Sequence, residues 1–124
     1  MYYIGKIDLN KIGKYKNKVA TDEVILTDER KRHILNNHVN DYEKIIKNIS
    51  RVILNPREIL EDHKNNNTLL FIDKLEQNNL NVIIKLSTIN NDKHPKNSVM
   101  TAWIIRDSNL KKLRRKNKII YKRA

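Results

Sequence analysis

The spacing of apolar residues along the chain changes at Pro56. Before this proline, Thr27 and the two acidic residues after it are typical of a helix N-terminus and predict a helix over 28–37. A second helix is predicted from Asn40, which has a glutamate three positions later, because apolar residues then keep a helical stripe. Pro56 ends this helix, since the residue before a proline disfavours the helical conformation.

Beyond Pro56 the apolar residues follow the pattern of strands. Segments rich in Ile, Leu, Val or Phe, separated by Asn-rich turns or a longer loop, cover residues 57–63, 68–75, 81–89 and 98–106. After these segments, Ser108 is predicted to cap a short basic helix, and residues 118–121 are predicted to form an edge strand. Helices first and strands afterwards predict an α+β domain, with the helices packed on one face of an antiparallel sheet.

The chain length of 124 residues suits one hydrophobic core. We therefore expect a single domain over 1–124, in which 1–26 form an N-terminal extension and 27–54 the helical part. Residues 57–124 would form the sheet and the C-terminal helix. No repeat and no linker interrupts this pattern.

The charge of the chain is strongly basic. Lys and Arg number 26 against 14 acidic residues, which gives a formal charge of +12. Such an excess favours a polyanionic partner such as nucleic acid or an anionic membrane surface. The abundance of Lys, Asn and Ile leaves open a second interpretation, in which the charge reflects composition alone.

Cysteine is absent from the chain. This excludes disulfides, thiolate zinc sites and a cysteine nucleophile. No apolar run approaches the ~18 residues of a membrane span, so no membrane partner is expected. The two glycines, Gly5 and Gly13, cannot form a glycine-rich phosphate loop.

The predicted strand at 98–106 carries polar residues that a buried strand does not need. Asn97, Ser98 and Thr101 are either held by turn and backbone partners or line a surface for a polar ligand. Lys85 stands within the preceding strand and shares a face with Ser87, and an exposed lysine on a solvated face is the alternative interpretation.

Four histidines complete the candidate chemistry: His33, His38, His63 and His94. If the first helix includes His38, this side chain should face the body of the domain; if the helix ends before it, His38 lies on a turn. The spacing of five between His33 and His38 does not match the i, i+4 pair of a helical zinc site, so no metal or other cofactor is predicted. Surface roles are the default for His63 and His94.

Histidine, lysine and hydroxyl side chains in a basic domain suit cleavage of RNA by its own 2′-hydroxyl. This reaction needs a base, an acid and donors for the charged phosphorane, but no metal. This set of side chains is therefore compatible with cleavage of RNA that requires no metal.

A series of motifs in order also resembles a known group of proteins. The motifs are YIGKID, VILTDERKRHILNNH, DYEKI, NPREI, NNTLL, VIIKLST, KNSVMTAW and KIIYK. They resemble the phage-associated branch of the superfamily that groups barnase, EndoU, colicin-type tRNases and RelE toxins (the BECR fold). The resemblance implies N-terminal helices on a four-stranded antiparallel sheet and a short C-terminal helix. It also implies metal-independent endoribonuclease activity, possessed by a toxin or phage-encoded effector.

The resemblance also implies catalytic and binding roles for individual residues. It makes His38 the first general acid or base and His33 the second, with Lys85 stabilising the phosphate and Ser98 and Thr101 beside it. The predicted substrate contacts are Asn97, Lys96 and Arg106. If His33 is structural, His94 or Tyr121 would have to supply the acid. His38→Ala is then expected to abolish cleavage without unfolding the domain.

The expected partner is RNA, with tRNA as one candidate substrate. An acidic immunity or antitoxin protein would complement a basic cleft. The expected location is the cytoplasm of a bacterium or phage-infected cell, or of a target cell into which the domain is delivered, and the domain could belong to a larger phage or toxin polypeptide. The alternatives are a non-catalytic module of a phage structural protein that binds nucleic acid or protein, and an assembly domain.

Overall fold

The fold is built on one mixed sheet. A computed structural model describes residues 1–90 and 96–124. Within these residues the strands are β1 (Tyr2–Lys6), β2 (Glu23–Leu26), β3 (Glu58–Glu61), β4 (Thr68–Leu75), β5 (Asn78–Lys85), β6 (Asn97–Ile105) and β7 (Lys118–Lys122). Their order across the sheet is β1-β2-β6-β5-β4-β3-β7, and β2 and β6 are parallel whereas the other neighbours are antiparallel.

The helices lie on both faces of this sheet. They are α1 (Asp28–Asn37), α2 (Tyr42–Leu54) and α3 (Asp107–Lys116), and two short 3-10 helices, Leu9–Lys11 and Gly13–Asn17, precede them. The α2 residues Ile45, Ile49 and Ile53 are buried in a large apolar cluster with alternate residues of β4, β5 and β6. Leu110 of α3 belongs to a separate, smaller cluster. We call the two sides of the sheet the α2 face and the α3 face.

The alternation of side chains along the strands assigns residues to these faces. On β5, Leu80, Val82 and Ile84 belong to the cluster on the α2 face, whereas Ile83 packs against the smaller cluster on the α3 face. Lys85, two residues after Ile83, therefore lies on the α3 face. The core thus occupies the whole α2 face, and α3 covers only part of the other one.

Several sequence predictions are confirmed. The helix α1 has the predicted bounds, and the Thr27 hydroxyl accepts a hydrogen bond from the backbone N–H of Arg30 as its N-cap. The second helix ends before Pro56, β4 covers 68–75, and β7 is an edge strand next to β3.

The predicted four-stranded antiparallel sheet is wrong in strand number and in direction. Residues 1–26, expected to be an extension, contribute β1 and β2, and β2 pairs in parallel with β6. Glu23–Leu26 and Asn97–Ile105 are far apart in sequence, so no turn signal announces their pairing. The helices were also expected on one face only, but α3 packs on the face opposite α2.

Several element boundaries also differ from prediction. The α2 helix begins at Tyr42, after Asp41 rather than Asn40. Ser108 does not cap α3, because the helix already includes Asp107, whose carboxylate accepts a hydrogen bond from the Asn79 amide. The strand β5 begins at residue 78 because the hairpin turn before it is shorter than expected.

Candidate active site

A cleft opens on the α3 face of the sheet, beyond the part that α3 covers. Its volume is about 460 Å³. It is lined by Thr27, Glu29, Arg30, Asn65, Thr68, Ile83, Lys85, Ser98 and Met100.

The floor of the cleft is a row of polar side chains on three neighbouring strands. Lys85 of β5 lies directly opposite Ser98 of β6 and, on its other side, opposite Thr68 of β4. Residues directly opposite in a sheet share a face, so these three side chains line up. The Lys85 ammonium donates to the carbonyl of Asn66 at 2.6 Å, and the Thr68 hydroxyl donates to the same carbonyl at 3.0 Å.

The first turn of α1 forms one wall of the cleft. The N-cap at Thr27 fixes where this helix begins, and so brings Glu29 and Arg30 to the cleft beside Ser98. Among residues 1–90 and 96–124, no ion pair joins a carboxylate to Arg30 or Lys85. Two unneutralised cations and one carboxylate therefore share a space suited to an anionic ligand.

The loop between β3 and β4 contributes Asn65 to the opposite wall. The same loop contains His63, which is not itself one of the lining residues. The backbone N–H of His63 donates to Asn117 Oδ1 at 3.0 Å, and His63 Nδ1 lies 2.9 Å from the same oxygen. The Asn117 amide group donates in turn to the carbonyl of Leu113 at 3.0 Å. The ring of this exposed histidine is therefore held by the buried residue that ends α3.

The two histidines favoured from the sequence lie elsewhere. The helix ends before His38, which is its C-cap, and the His38 ring stacks on Trp103 with centroids 6.5 Å apart. His33 is exposed and contacts the Asn37 amide at 3.2 Å. Because the ten residues of α1 span ~15 Å, its C-terminal end is well separated from the cleft wall at its first turn. His94 lies outside the described residues.

The polar residues at the start of β6 divide between structural and cleft positions. Asn97 is fully buried, donates to the carbonyl of Thr21 at 2.8 Å and accepts from the backbone N–H of Ser87 at 2.8 Å. It therefore ties the strand in place. Ser98 lines the cleft. Thr101 lies opposite Ile83, a cleft residue, and is half-buried.

The remaining predicted site residues do not line the cleft. Lys96 forms an ion pair with Glu23, and the hydrogen bond from Lys96 lowers the pKa of that carboxyl. Arg106 is exposed after the far end of β6, where it precedes α3. Tyr121 is half-buried on β7 and packs against the cluster on the α2 face.

Sequence reasoning did not select the cleft residues Glu29, Arg30 and Thr68. It gave His63 a surface role by default, and the structure shows this residue exposed. Glu29 and Arg30 stood in the first turn of a correctly predicted helix, where acidic residues are ordinary dipole partners. The sequence separation between these two residues and Lys85 gave no indication that all three line one cleft.

A comparison with protein families identifies the chain. The sequence model of the phage-Barnase-EndoU-ColicinE5/D-RelE like nuclease2 family (PBECR2) matches residues 3–122. The chain belongs to this family. No curated protein and no solved structure matches the chain.

The PBECR2 match confirms the resemblance drawn from the motifs and makes the protein a member of a nuclease family. It extends from β1 to the last residue of β7, so it includes every element that forms the cleft. Within the described part of this PBECR2 chain, no three His, Asp or Glu side chains are grouped as a metal site would require. No helix found there has the length and apolar character to cross a membrane.

Proposed function

We propose that this PBECR2 protein is a metal-independent endoribonuclease that cleaves RNA in the cleft on the α3 face, as a toxin or phage-encoded effector. One observation carries the proposal. Lys85 and Arg30 meet the carboxylate of Glu29 and the hydroxyls of Ser98 and Thr68 in one cleft. A nuclease needs cations for the phosphate and a proton acceptor beside them, and this cleft contains both.

The floor of the cleft would bind the scissile phosphate. Lys85 and Arg30 supply positive charge, and Ser98 adds a hydroxyl donor. Donors aimed at the charge that develops on the phosphorane contribute ~10²–10³-fold each. These side chains therefore account for transition-state stabilisation without a metal ion.

Glu29 would accept the proton of the attacking 2′-hydroxyl. As this proton leaves, the 2′-oxygen forms a bond to phosphorus and the bond from phosphorus to the 5′-oxygen breaks. The products are a 2′,3′-cyclic phosphate and a free 5′-hydroxyl, which takes up a proton. General base catalysis of this kind contributes ~10²–10⁴-fold.

The proposal keeps His38 and Thr101 as candidates for contact with the RNA on either side of the scissile phosphate. The His38 ring stacked on Trp103 would meet a neighbouring nucleotide, because the cleft and the end of α1 are separated along the helix. Its assignment as a general acid or base stays a prediction.

The test is to incubate the purified protein with total RNA, and separately with tRNA, in excess chelator and to map the cut ends. We expect fragments that end in 2′,3′-cyclic phosphate. Lys85→Ala should lower the cleavage rate by ~10²–10³-fold because it removes a phosphate donor. Lys47→Ala is the matched control, because Lys47 is an exposed lysine on α2, away from the cleft.

Intact RNA from the folded protein at all pH values tested would overturn the proposal. Intact RNA that is nevertheless bound would favour the alternative, a binding module of a phage protein. Cleavage that appears only when magnesium is added would contradict the metal-independent reaction. The positions of the cuts would show whether tRNA is the preferred substrate.

A further inference from the structure

The hydrogen bonds around Asn117 fix the hydrogen positions on His63. The Asn117 nitrogen donates to the carbonyl of Leu113, and its oxygen accepts from the backbone N–H of His63. The amide can satisfy both partners in only one orientation. Its oxygen therefore faces His63 Nδ1, 2.9 Å away, and Nδ1 must carry a hydrogen to donate.

This arrangement makes Nε2 the atom that exchanges protons. Nδ1 is a donor in the neutral ring with this tautomer and also in the imidazolium, so the bond to Asn117 persists in both states. Only Nε2 gains or loses a hydrogen, and the ring does not have to turn. Asn117 is 7% exposed, which shields this bond from water, whereas His63 is open to solvent.

The position of His63 relates it to the cleft. The backbone N–H of Asp62 donates to the carbonyl of Thr68, so the loop leaves β3 beside the polar row on the cleft floor. The same loop supplies Asn65 to the cleft lining and the Asn66 carbonyl to Lys85. Asp62 therefore continues the row that contains Lys85 and Thr68, and His63 is the next residue of the loop.

Glu29 and His63 stand on opposite sides of that row. Glu29 lies on the α1 side, beyond β6, and His63 lies at the end of β3. Three strand spacings separate β6 from β3, which is ~14 Å between backbones. In an in-line displacement the attacking and leaving oxygens also lie on opposite sides of phosphorus.

We propose that His63, positioned by Asn117, is the general acid of the cleft. This inference rests on the proposed ribonuclease function. The imidazolium donates its Nε2 proton to the 5′-oxygen as the bond from phosphorus to that oxygen breaks. Glu29 takes the 2′-hydroxyl proton as the new bond from the 2′-oxygen to phosphorus forms. Solvent then removes the proton from Glu29 and returns one to His63.

A pair of substrates that differ only in the leaving group tests this role. One is the dinucleotide uridylyl-3′,5′-adenosine, whose leaving oxygen needs a proton. The other is uridine 3′-(4-nitrophenyl phosphate), whose leaving group departs without one. We expect His63→Ala to lower cleavage of the dinucleotide by ~10²–10⁴-fold and that of the nitrophenyl ester by less than ~10-fold. Glu29→Gln should lower both.

Two further variants separate the histidines and the positioning residue. His38→Ala should leave the ratio of the two rates as in the wild type, whereas a selective loss on the dinucleotide would assign the acid to His38 instead. Asn117→Ala should also lower cleavage of the dinucleotide selectively, but by less than His63→Ala does. Asn117→Asp, which keeps an oxygen for Nδ1, should recover part of the cleavage rate that Asn117→Ala loses. The melting temperature of each variant checks that it is folded.

The outcomes distinguish this inference from the proposed function. A wild-type protein that cleaves both substrates, with His63→Ala unchanged or equally impaired on both, overturns only the role of His63. A wild-type protein that cleaves neither these substrates nor RNA overturns the proposed function and this inference together.

Discussion

Asn81 is a buried asparagine in apolar surroundings. It is fully buried on β5, between Ile72 of β4 and Trp103 of β6, and it lies on the α3 face. Neither polar atom of its amide has a hydrogen-bond partner in the described part of the chain. A buried polar group without a partner costs about 1–3 kcal/mol.

Replacing Asn81 should therefore stabilise the fold. We expect Asn81→Leu, which keeps the branched shape of the side chain and has no polar atoms, to raise the free energy of unfolding by about 1–3 kcal/mol. Urea denaturation followed by circular dichroism measures this change. A loss of stability would show instead that the amide is satisfied, for example by water. If the stabilised variant also cleaves RNA more slowly, the amide contributes to activity while it lowers stability.

A second residue-scale prediction concerns Tyr15 and Glu61. The Tyr15 hydroxyl donates to Glu61 Oε2 at 2.5 Å. Burial and the bond to Glu61 raise the pKa of Tyr15 to about 12, and this hydrogen bond lowers the pKa of Glu61. The raised pKa stabilises the folded state below pH 10, the usual pKa of tyrosine, and this contribution disappears as the pH rises to about 12.

Tyr15→Phe should therefore cost about 1 kcal/mol of stability near neutral pH, and the cost should shrink between pH 10 and about 12. It should also shrink as the pH falls below 4.5, because the lowered pKa of Glu61 stabilises the fold only above that value. Urea denaturation of the wild type and of Tyr15→Phe over this pH range tests the prediction. The difference between their free energies of unfolding removes the contribution of lysine titration, which is common to both proteins. A difference that stays constant up to pH 12 would contradict it.

At the scale of elements, one ion pair anchors α3 on the sheet. Glu58 of β3 is fully buried, and Arg114 of α3 donates to both of its carboxylate oxygens, at 2.8 and 3.0 Å. Leu110 and Leu113 of the same helix belong to the smaller apolar cluster on the α3 face. A buried carboxylate that loses the cation paired with it is left uncompensated.

Arg114→Ala should lower the free energy of unfolding by about 3–5 kcal/mol, measured by urea denaturation. Arg115→Ala is the matched control, because Arg115 is the exposed neighbour on the same helix and its loss should change stability by less than about 0.5 kcal/mol. Equal effects of the two substitutions would mean that α3 is held by its apolar contacts alone.

For the whole molecule, the charge of +12 predicts RNA binding that weakens steeply with salt. The helix α3 lies on the same face as the cleft and exposes Lys111 and Lys112. Removing both with Lys111→Ala and Lys112→Ala should weaken RNA binding and make the slope of log affinity against log salt shallower by about 1.4 units for single-stranded RNA, at ~0.7 per lost phosphate contact.

The control variant removes two lysines from elements on the opposite face of the sheet. Lys16 and Lys47 are exposed on elements that pack on the α2 face. Lys16→Ala combined with Lys47→Ala should leave the slope unchanged. Equal effects of the two double variants would show a diffuse field of charge, and affinity independent of salt would contradict the electrostatic prediction.

The sequence by itself determined the local elements and the family. The bounds of α1 follow from Thr27 and the acidic first turn, and the end of α2 follows from Pro56, because caps and prolines act on their immediate neighbours. The motifs indicated the nuclease family that the match over 3–122 then showed. Lys85 and Ser98 were also candidates from the strand pattern alone.

Only the tertiary structure decided which residues meet. The parallel pairing of β2 with β6 places α1 after the end of β2, so that Glu29 and Arg30 line the same cleft as Lys85. His63 and Asn117 are 54 residues apart and meet because α3 ends beside the loop after β3. Contacts between such distant segments arise from strand order and helix packing, and no short-range spacing in the sequence specifies either.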